Sequence, residues 1–544
     1  GAFERLMDRI IRASYALERL CRRRQGIAFC LILALAFLGR LYGLADRPLW
    51  NDEAFSLLAA SDTLKDTWST LTGDVHPPLY YLLLNLYLDL GVGLGLGEGE
   101  FAARSLSAIA GGLSVAVVYA IARRFLSPFA ALAAMALAAV HPLLFSWSQI
   151  ARGYALFTLA GLVASWGAIV LIQALSNKTA PGGAESRRPW LPMAAFVGGS
   201  AAALWINNLF VIGLAAFSGA WLSIWLIMTP RDRRPLIQWA GLNAATVVIW
   251  LPWLPYLLDQ SGSLDRGHFQ VGWASVADGT LSLIGSEHLW SIRSLFGGLI
   301  GIGLVVGIAS ISHRGWRHQA PLLLVSLLPI LLCIALFAIG EPAFGYAIGR
   351  LMWLSGLFVI FIAGALSAPP YAAKAWAPFS KPLRRQIRPI SGVLIGAVVA
   401  GMLYASWNST AVEFPAHNRI AQRIAKQAQA SDALVLPRSV PVSAAQRTEG
   451  TAPRYALHYY WQRTGKTSVE SIYPIGLETE SLVTVLCRYR RVWFTRIPGD
   501  RENSLANRLI ALGANHEQFS VAKAFYIGAL EAFTLDNHAN RCAI

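Results

Sequence analysis

Apolar runs of roughly 20 residues, parted by short polar loops, set the pattern of this chain, and a run of that length suits a helix that crosses a bilayer. They fall at 26–45, 101–122, 127–145, 150–174, 190–207, 209–229, 237–257, 293–311, 320–340, 350–367 and 390–407, about eleven spans. The run at 77–90 differs. P-P-L-Y-Y-L-L-L-N-L-Y-L-D-L is short and carries Asn85 and Asp89, which predicts a helix lying at the interface. Residues 1–25 place Leu6, Ile10, Leu17 and Leu20 between seven arginines, the pattern of a basic amphipathic helix on the inner membrane surface. A cleaved signal peptide is the rival reading for the first run. That run is longer than a signal core and more spans follow, so a retained anchor is expected.

Beyond 407 the pattern changes. A-L-V-L-P and R-V-W-F-T read as strands, Y-A-L-H-Y-Y-W-Q as a helix start, S-L-A-N-R-L-I-A-L-G as a helix stopped by Gly513, and A-K-A-F-Y-I-G-A-L-E-A-F as a further strand. The expected fold is a polytopic α-helical membrane protein with a C-terminal α/β domain. Its parts are a basic helix at 1–25, a transmembrane domain at 26–407 with a first outer loop at 46–100, and the α/β domain at 408–544.

Charge orients this arrangement. The chain is 55% hydrophobic and 14% charged with a net charge of +16, and its mean hydropathy is +0.48. A soluble protein that basic suggests nucleic acid, but no basic stripe with interleaved aromatics is present. The positive residues collect in loops instead: Arg123-Arg124, Arg187-Arg188, R-D-R-R-P, Arg314 and Arg317, then Lys374 to Arg388. With the N-terminus inside and 77–90 interfacial, every one of these loops falls on the cytoplasmic side. Counting 77–90 as a span would invert them. The C-terminal domain is then expected outside the cytoplasm. No P-loop or dinucleotide glycine motif occurs, which argues against ATP-driven transport. Of five cysteines, Cys30 and Cys333 lie in apolar runs, and Cys487 and Cys542 can pair if the last domain is extracytoplasmic.

The unusual polar residues then share one side. W-N-D-E-A-F-S at 50–56 supplies Asp52 and Glu53, and D-V-H-P-P-L at 74–79 supplies Asp74 and His76. Arg104 starts the next span. His141, Gln149, Arg152 and Tyr154 surround the second outer turn, Asn207 and Asn208 mark another, and Tyr346 and Arg350 a later one. Arginine forks bind phosphate, and a nearby carboxylate can take a proton from a hydroxyl. Together these suggest transfer of a group from a lipid phosphate to an acceptor outside the cytoplasm. Asp52, with Glu53 beside it, is the expected catalytic base. His76, Arg104, Arg152 and Arg350 are expected at the donor phosphate, and Asp74, Tyr154 and Tyr346 in the substrate pocket.

Each residue has a plainer reading. Asp52 and Glu53 suit the first turn of a helix, where carboxylates are favoured. His76 suits a buried hydrogen-bonding role, and Arg104, Arg152 and Arg350 can snorkel to the interface. Glu413 and His458 read as surface residues. Two other functions stay open. A lipid flippase would need a polar path deep in the membrane. A polyprenyl-diphosphate oligosaccharide transferase would need a divalent metal, for which Asp52, Glu53 and Asp74 offer oxygen ligands. The expectation is no cofactor and no metal.

Asp52-Glu53, D-V-H-P-P-L and Arg104 in F-A-A-R-S-L-S-A-I-A-G-G resemble the protein O-mannosyltransferase type of GT-C glycosyltransferase, family 39 and its bacterial relatives. S-W-S-Q-I-A-R-G-Y-A-L at 146–156 is similar to an outer turn of the bacterial branch. The resemblance spans 45–160 most clearly. It implies an inverting transferase that uses a polyprenyl-phosphate sugar, with Asp52 as catalytic residue and Arg104 as the matching arginine. The lipid A aminoarabinose transferase has lysine where His76 stands and D-E-S-R-Y where this chain has D-E-A-F-S. Phe55 and His76 thus set the chain apart from that branch. The acceptor implied is a glycolipid, lipopolysaccharide or polysaccharide.

Overall fold

The computed structural model describes residues 23–60, 63–72, 76–93, 99–176, 190–228, 232–261, 272–285, 300–301, 308, 316–364, 396–406, 417–436, 455–472, 479–496, 505–515, 519–527 and 530–538. The expected amphipathic helix at 1–25 and the span at 293–311 lie almost wholly outside these residues. Five described helices are long and apolar enough to cross a membrane singly: Glu100–Phe125, Tyr154–Leu175, Phe210–Met228, Arg234–Asp259 and Gln319–Ala338. Two more expected spans appear as bent pairs, Pro128–Val140 with Pro142–Ser148 and Ala343–Arg350 with Trp353–Gly364. Gln25–Leu41, Trp190–Ile206 and Gly396–Ser406 are shorter apolar helices. Leu79–Gly93, the expected interfacial segment, has 15 residues, about 22 Å of helix against roughly 30 Å of bilayer core. The protein is a multi-pass membrane protein.

The chain divides into two compact units. One comprises Gly1–Tyr42, Arg104–Leu254 and Asp265–Val412; the other comprises Gly43–Ala103, Pro255–Leu264 and Glu413–Ile544. Residues 43–103, which contain the first outer loop, thus fall in the same unit as the C-terminal domain.

In the first unit the core is aromatic. Trp353 is fully buried, with Phe157 at 5.3 Å and Phe210 at 5.0 Å between ring centroids. The bend at His141 has a clear cause. Pro142 has no N–H to give to the Ala138 carbonyl, so the helix Pro128–Val140 ends there. Arg40, itself fully buried, donates to the freed carbonyls of Ala138 at 3.3 Å and Ala139 at 2.9 Å. Ser406 Oγ donates to the next carbonyl, Val140, at 2.9 Å. These bonds satisfy the exposed end of a helix inside an apolar bundle. Between the runs 237–257 and 293–311 lies the helix Trp273–Leu283.

In the second unit five strands form one sheet: β1 Asp432–Val435, β2 Glu470–Ile472, β3 Arg491–Arg496, β4 Phe519–Ile527 and β5 Leu530–Asn537. Their order is β2-β1-β3-β5-β4. The β1, β2 and β3 strands run parallel, and β5 is antiparallel to both β3 and β4. The single strand expected over A-K-A-F-Y-I-G-A-L-E-A-F is instead two paired strands, with Ile527 opposite Leu530. Gly513 does not stop its helix, which runs Leu505–Asn515. A Cβ there would meet Val521 Cβ at 2.7 Å, so the glycine lets the helix lie close on the sheet. Leu509, Leu512, Val492, Phe494 and Leu535 belong to the resulting apolar cluster.

Cys487 is disulfide-bonded, and its partner lies outside the described residues. Asn537 reaches the Cys487 carbonyl with its amide at 3.4 Å, and its N–H donates to the Arg490 carbonyl at 2.9 Å. The chain is thus beside Cys487 five residues before Cys542. Peptide mapping without reduction is expected to yield a Cys487–Cys542 linked pair. Recovery of Cys487 as a free thiol would rule that out.

Candidate functional site

In the second unit the motif W-N-D-E-A-F-S opens the helix Asn51–Ala60. Glu53 is fully buried, and its carboxylate accepts the Trp50 N–H at 3.3 Å. This is the back-reaching half of a capping box, from the third helical position to the residue before the helix. Asp52 is half-buried in the first turn. The two adjacent carboxylates thus differ: Glu53 holds the helix start, and Asp52 is the more exposed.

Phe55, one turn from Asp52, faces His76 with ring centroids 6.5 Å apart. Tyr81 lies edge-on to Phe55 at 5.7 Å and 6.3 Å from His76. The two positions that depart from the aminoarabinose-transferase pattern are therefore neighbours, in an aromatic cluster. Asp74 lies outside the described residues.

The expected arginines all belong to the first unit. Arg104 is fully buried on the helix Glu100–Phe125. Ser107, one turn on, donates to the Arg152 carbonyl at 3.1 Å, pinning the Arg152 turn against that helix. Arg152 is 6% exposed. Two residues later Tyr154 begins the helix Tyr154–Ser176, and its side chain is hydrogen-bonded to Arg350. Trp147 stacks edge-on against Tyr154 at 4.4 Å. Arg350 ends the turn Ile348–Arg350. That turn is seated closely on the helix Trp273–Leu283, because a Cβ on Gly279 would lie 2.9 Å from the Gly349 nitrogen. Tyr346 is in the helix Pro342–Ala347, and its side chain lies outside what the structure describes.

Other candidates have structural work. Gln149 directs its amide to the carbonyls of Gly39, Arg40 and Tyr42 at 3.3, 3.3 and 3.1 Å, closing the end of the helix Gln25–Leu41. His141 is buried in the bend, with Nε2 3.1 Å from the Leu283 carbonyl. His458, read as a surface residue, is 3% exposed, and burial holds its pKa below the ordinary value. Arg40 and Tyr460, which sequence reading passed over, are buried polar groups with specific partners. Neither carries a local motif. Among the described residues no three His, Cys, Asp or Glu side chains come close enough to hold a metal ion, and Asp74 is not among them.

The structure is similar over nearly its whole length to ArnT from Cupriavidus metallidurans in the apo state: 93% of this chain, 97% of that one, 14% identity, TM-score 0.58. The chain has the GT-C fold. A second ArnT structure, bound to undecaprenyl phosphate, gives a TM-score of 0.55 at the same identity and coverage. An oligosaccharyltransferase from Archaeoglobus fulgidus in the apo form matches 85% of this chain and 69% of that one, at 14% identity and a TM-score of 0.50. The family described as dolichyl-phosphate-mannose-protein mannosyltransferase matches residues 75–256. That match includes His76, Arg104, Arg152 and Tyr154 and stops short of Asp52 and Glu53 on the N-terminal side. No curated protein matches the sequence. The arginines belong to the first unit and the motif carboxylates to the second.

Proposed function

We propose that the protein is an integral membrane glycosyltransferase that moves a sugar from a polyprenyl-phosphate donor to an acceptor outside the cytoplasm, a glycolipid, lipopolysaccharide or polysaccharide. The observation that supports it most is the pair of bonds by which Ser107, one turn after Arg104, holds the Arg152 carbonyl, and Arg350 meets Tyr154, two residues after Arg152. Arginine forks suit the anionic phosphate of a lipid-linked sugar, and charges set at membrane level point to function by default. The undecaprenyl phosphate bound by ArnT, whose fold this chain shares, supports the same class of donor.

In this reading Asp52 takes the proton of the acceptor hydroxyl as its oxygen attacks the anomeric carbon. The bond from that carbon to the phosphate oxygen breaks, and the electron pair leaves on the phosphate. Arg104, Arg152 and Arg350 stabilise the charge that develops there, with His76 as a further contact. One displacement inverts the anomeric centre. The reading places the protein in a bacterial inner membrane, the N-terminus inside and the sheet domain in the periplasm.

A second reading is the one left open by the carboxylates Asp52, Glu53 and Asp74, a diphosphate-linked donor with a divalent metal; the shared fold of an oligosaccharyltransferase is compatible with it. One experiment addresses both. Purified protein is incubated with polyprenyl-phosphate sugars and envelope glycolipids, and free polyprenyl phosphate is followed by mass spectrometry. The expected result is acceptor-dependent release that persists in chelator. Release abolished by chelator and restored by magnesium or manganese would favour the second reading. Transbilayer movement of the intact donor with no release would mark a flippase.

A further inference from the structure

Tyr460 lies on the helix Tyr455–Arg463 and is 8% exposed. Its hydroxyl accepts the Leu49 N–H at 2.6 Å and donates to Glu100 Oε1 at 2.8 Å. Burial, with help from the Glu100 carboxylate and against the Leu49 bond, pushes the phenol pKa up, so the group keeps the proton it donates. Tyr459 stacks edge-on at 5.1 Å, and the Arg463 guanidinium lies 5.4 Å over the Tyr459 ring. Tyr460 is not part of the apolar cluster that holds the sheet together.

Both partners sit at informative places. Leu49 is fully buried and directly precedes Trp50, whose N–H Glu53 caps. The bond to Leu49 therefore fixes the backbone where it enters the Asp52 helix, three residues before Asp52. The helix Tyr455–Arg463 also packs on that helix. Glu100 is the first residue of the helix Glu100–Phe125 and stands one turn before Arg104. One hydroxyl from the C-terminal domain thus touches the backbone before the proposed base and the helix start before a proposed phosphate ligand.

We infer that Tyr460 is a positioning residue for the transfer: through Leu49 and Glu100 it ties the entry of the Asp52 helix to residues 100–103 and so holds Asp52 in its working place. This rests on the transferase reading above. Tyr460 itself touches no reacting atom in this role. Reacting groups displaced by about 1 Å can lose roughly 10²-fold in rate, so a small loosening is enough to be read.

The test is Tyr460→Phe, which keeps the ring and removes both hydrogen bonds. Turnover is expected to fall about tenfold or more. The KM for donor is expected to stay within about twofold, since the lost interaction is one of alignment. Hydrogen exchange is expected to quicken at residues 49–56 and not across the rest of the chain. Glu100→Ala, which removes only the second bond, should lower turnover with less change of exchange at 49–56, while Glu100→Gln, which keeps an oxygen for the phenol to donate to, retains most of the turnover. Wild-type turnover and exchange in Tyr460→Phe would overturn the inference. So would a loss of turnover that merely follows a lower melting temperature, with exchange raised evenly throughout. If the wild-type protein transfers no sugar at all, the transferase reading fails by itself, and exchange at 49–56 still reports whether the hydroxyl holds the Asp52 helix.

Discussion

Asp52→Asn is expected to fold, to extract as a stable protein, and to lose sugar transfer by about 10²- to 10⁴-fold. The substitution keeps shape and hydrogen-bonding capacity but removes the carboxylate that would accept the acceptor's proton. A loss of that size corresponds to roughly 3–5 kcal/mol of barrier. The plainer role, a carboxylate favoured in the first turn of a helix, contributes only about 0.3–1 kcal/mol of stability. The two roles therefore separate cleanly by measurement. The geometry sharpens the separation, because Glu53 already closes the helix start through the Trp50 N–H. A role confined to the helix would lower the melting temperature slightly and leave turnover intact. Near wild-type turnover with Asp52→Asn would end the assignment of Asp52 as base.

Why the arginines were legible in sequence while Tyr460 was not follows from the range of the signals. An apolar run of about 20 residues is its own evidence for a span, because the bilayer sets the length. Arg104, Arg152 and Arg350 stand out against such runs as costly charges. The sequence therefore points to them one at a time, and the structure adds the Ser107 bond to the Arg152 carbonyl and the Arg350 bond to Tyr154. Tyr460 has no such background. It lies in an aromatic stretch of a polar domain, and its partners Leu49 and Glu100 are more than 300 residues away. The same limit explains the grouping of the first outer loop with the sheet domain: nothing local in 43–103 announces a partner beyond residue 413. Local signals also misled where one residue serves two purposes. Glycine both ends helices and permits close packing, and at Gly513 the second use holds. A long alternating stretch reads equally as one strand or as two, and at 522–533 the pairing of Ile527 with Leu530 decides for two.

Glycine has its largest effect where the helices Tyr154–Ser176 and Trp190–Ile206 meet. A Cβ on Gly167 would lie 2.6 Å from the Phe196 nitrogen and 2.7 Å from the Pro192 oxygen. A Cβ on Gly199 would lie 2.6 Å from the Ala164 nitrogen and 2.9 Å from the Ala160 oxygen. Every obstacle is backbone, so no side chain can swing aside. The two helices touch main chain to main chain at two levels, as small residues allow in membranes, where close packing rather than water drives helix association. Overpacking a core typically costs about 1–3 kcal/mol, and here two helices would have to part to admit even one carbon. Against a total stability of roughly 5–15 kcal/mol, Gly167→Leu and Gly199→Leu are each expected to abolish monodisperse protein on size exclusion after extraction. Gly198→Leu is the matched control, since nothing lies within 4 Å of a Cβ at that position. It shares the helix, the neighbouring sequence and the added bulk, and it should extract and melt like the wild type. Equal tolerance at 198 and 199 would show that the helices are not held this closely. Failure at 199 with tolerance at 198 would place the constraint in the contact of the helix Trp190–Ile206 with the backbone of the helix Tyr154–Ser176.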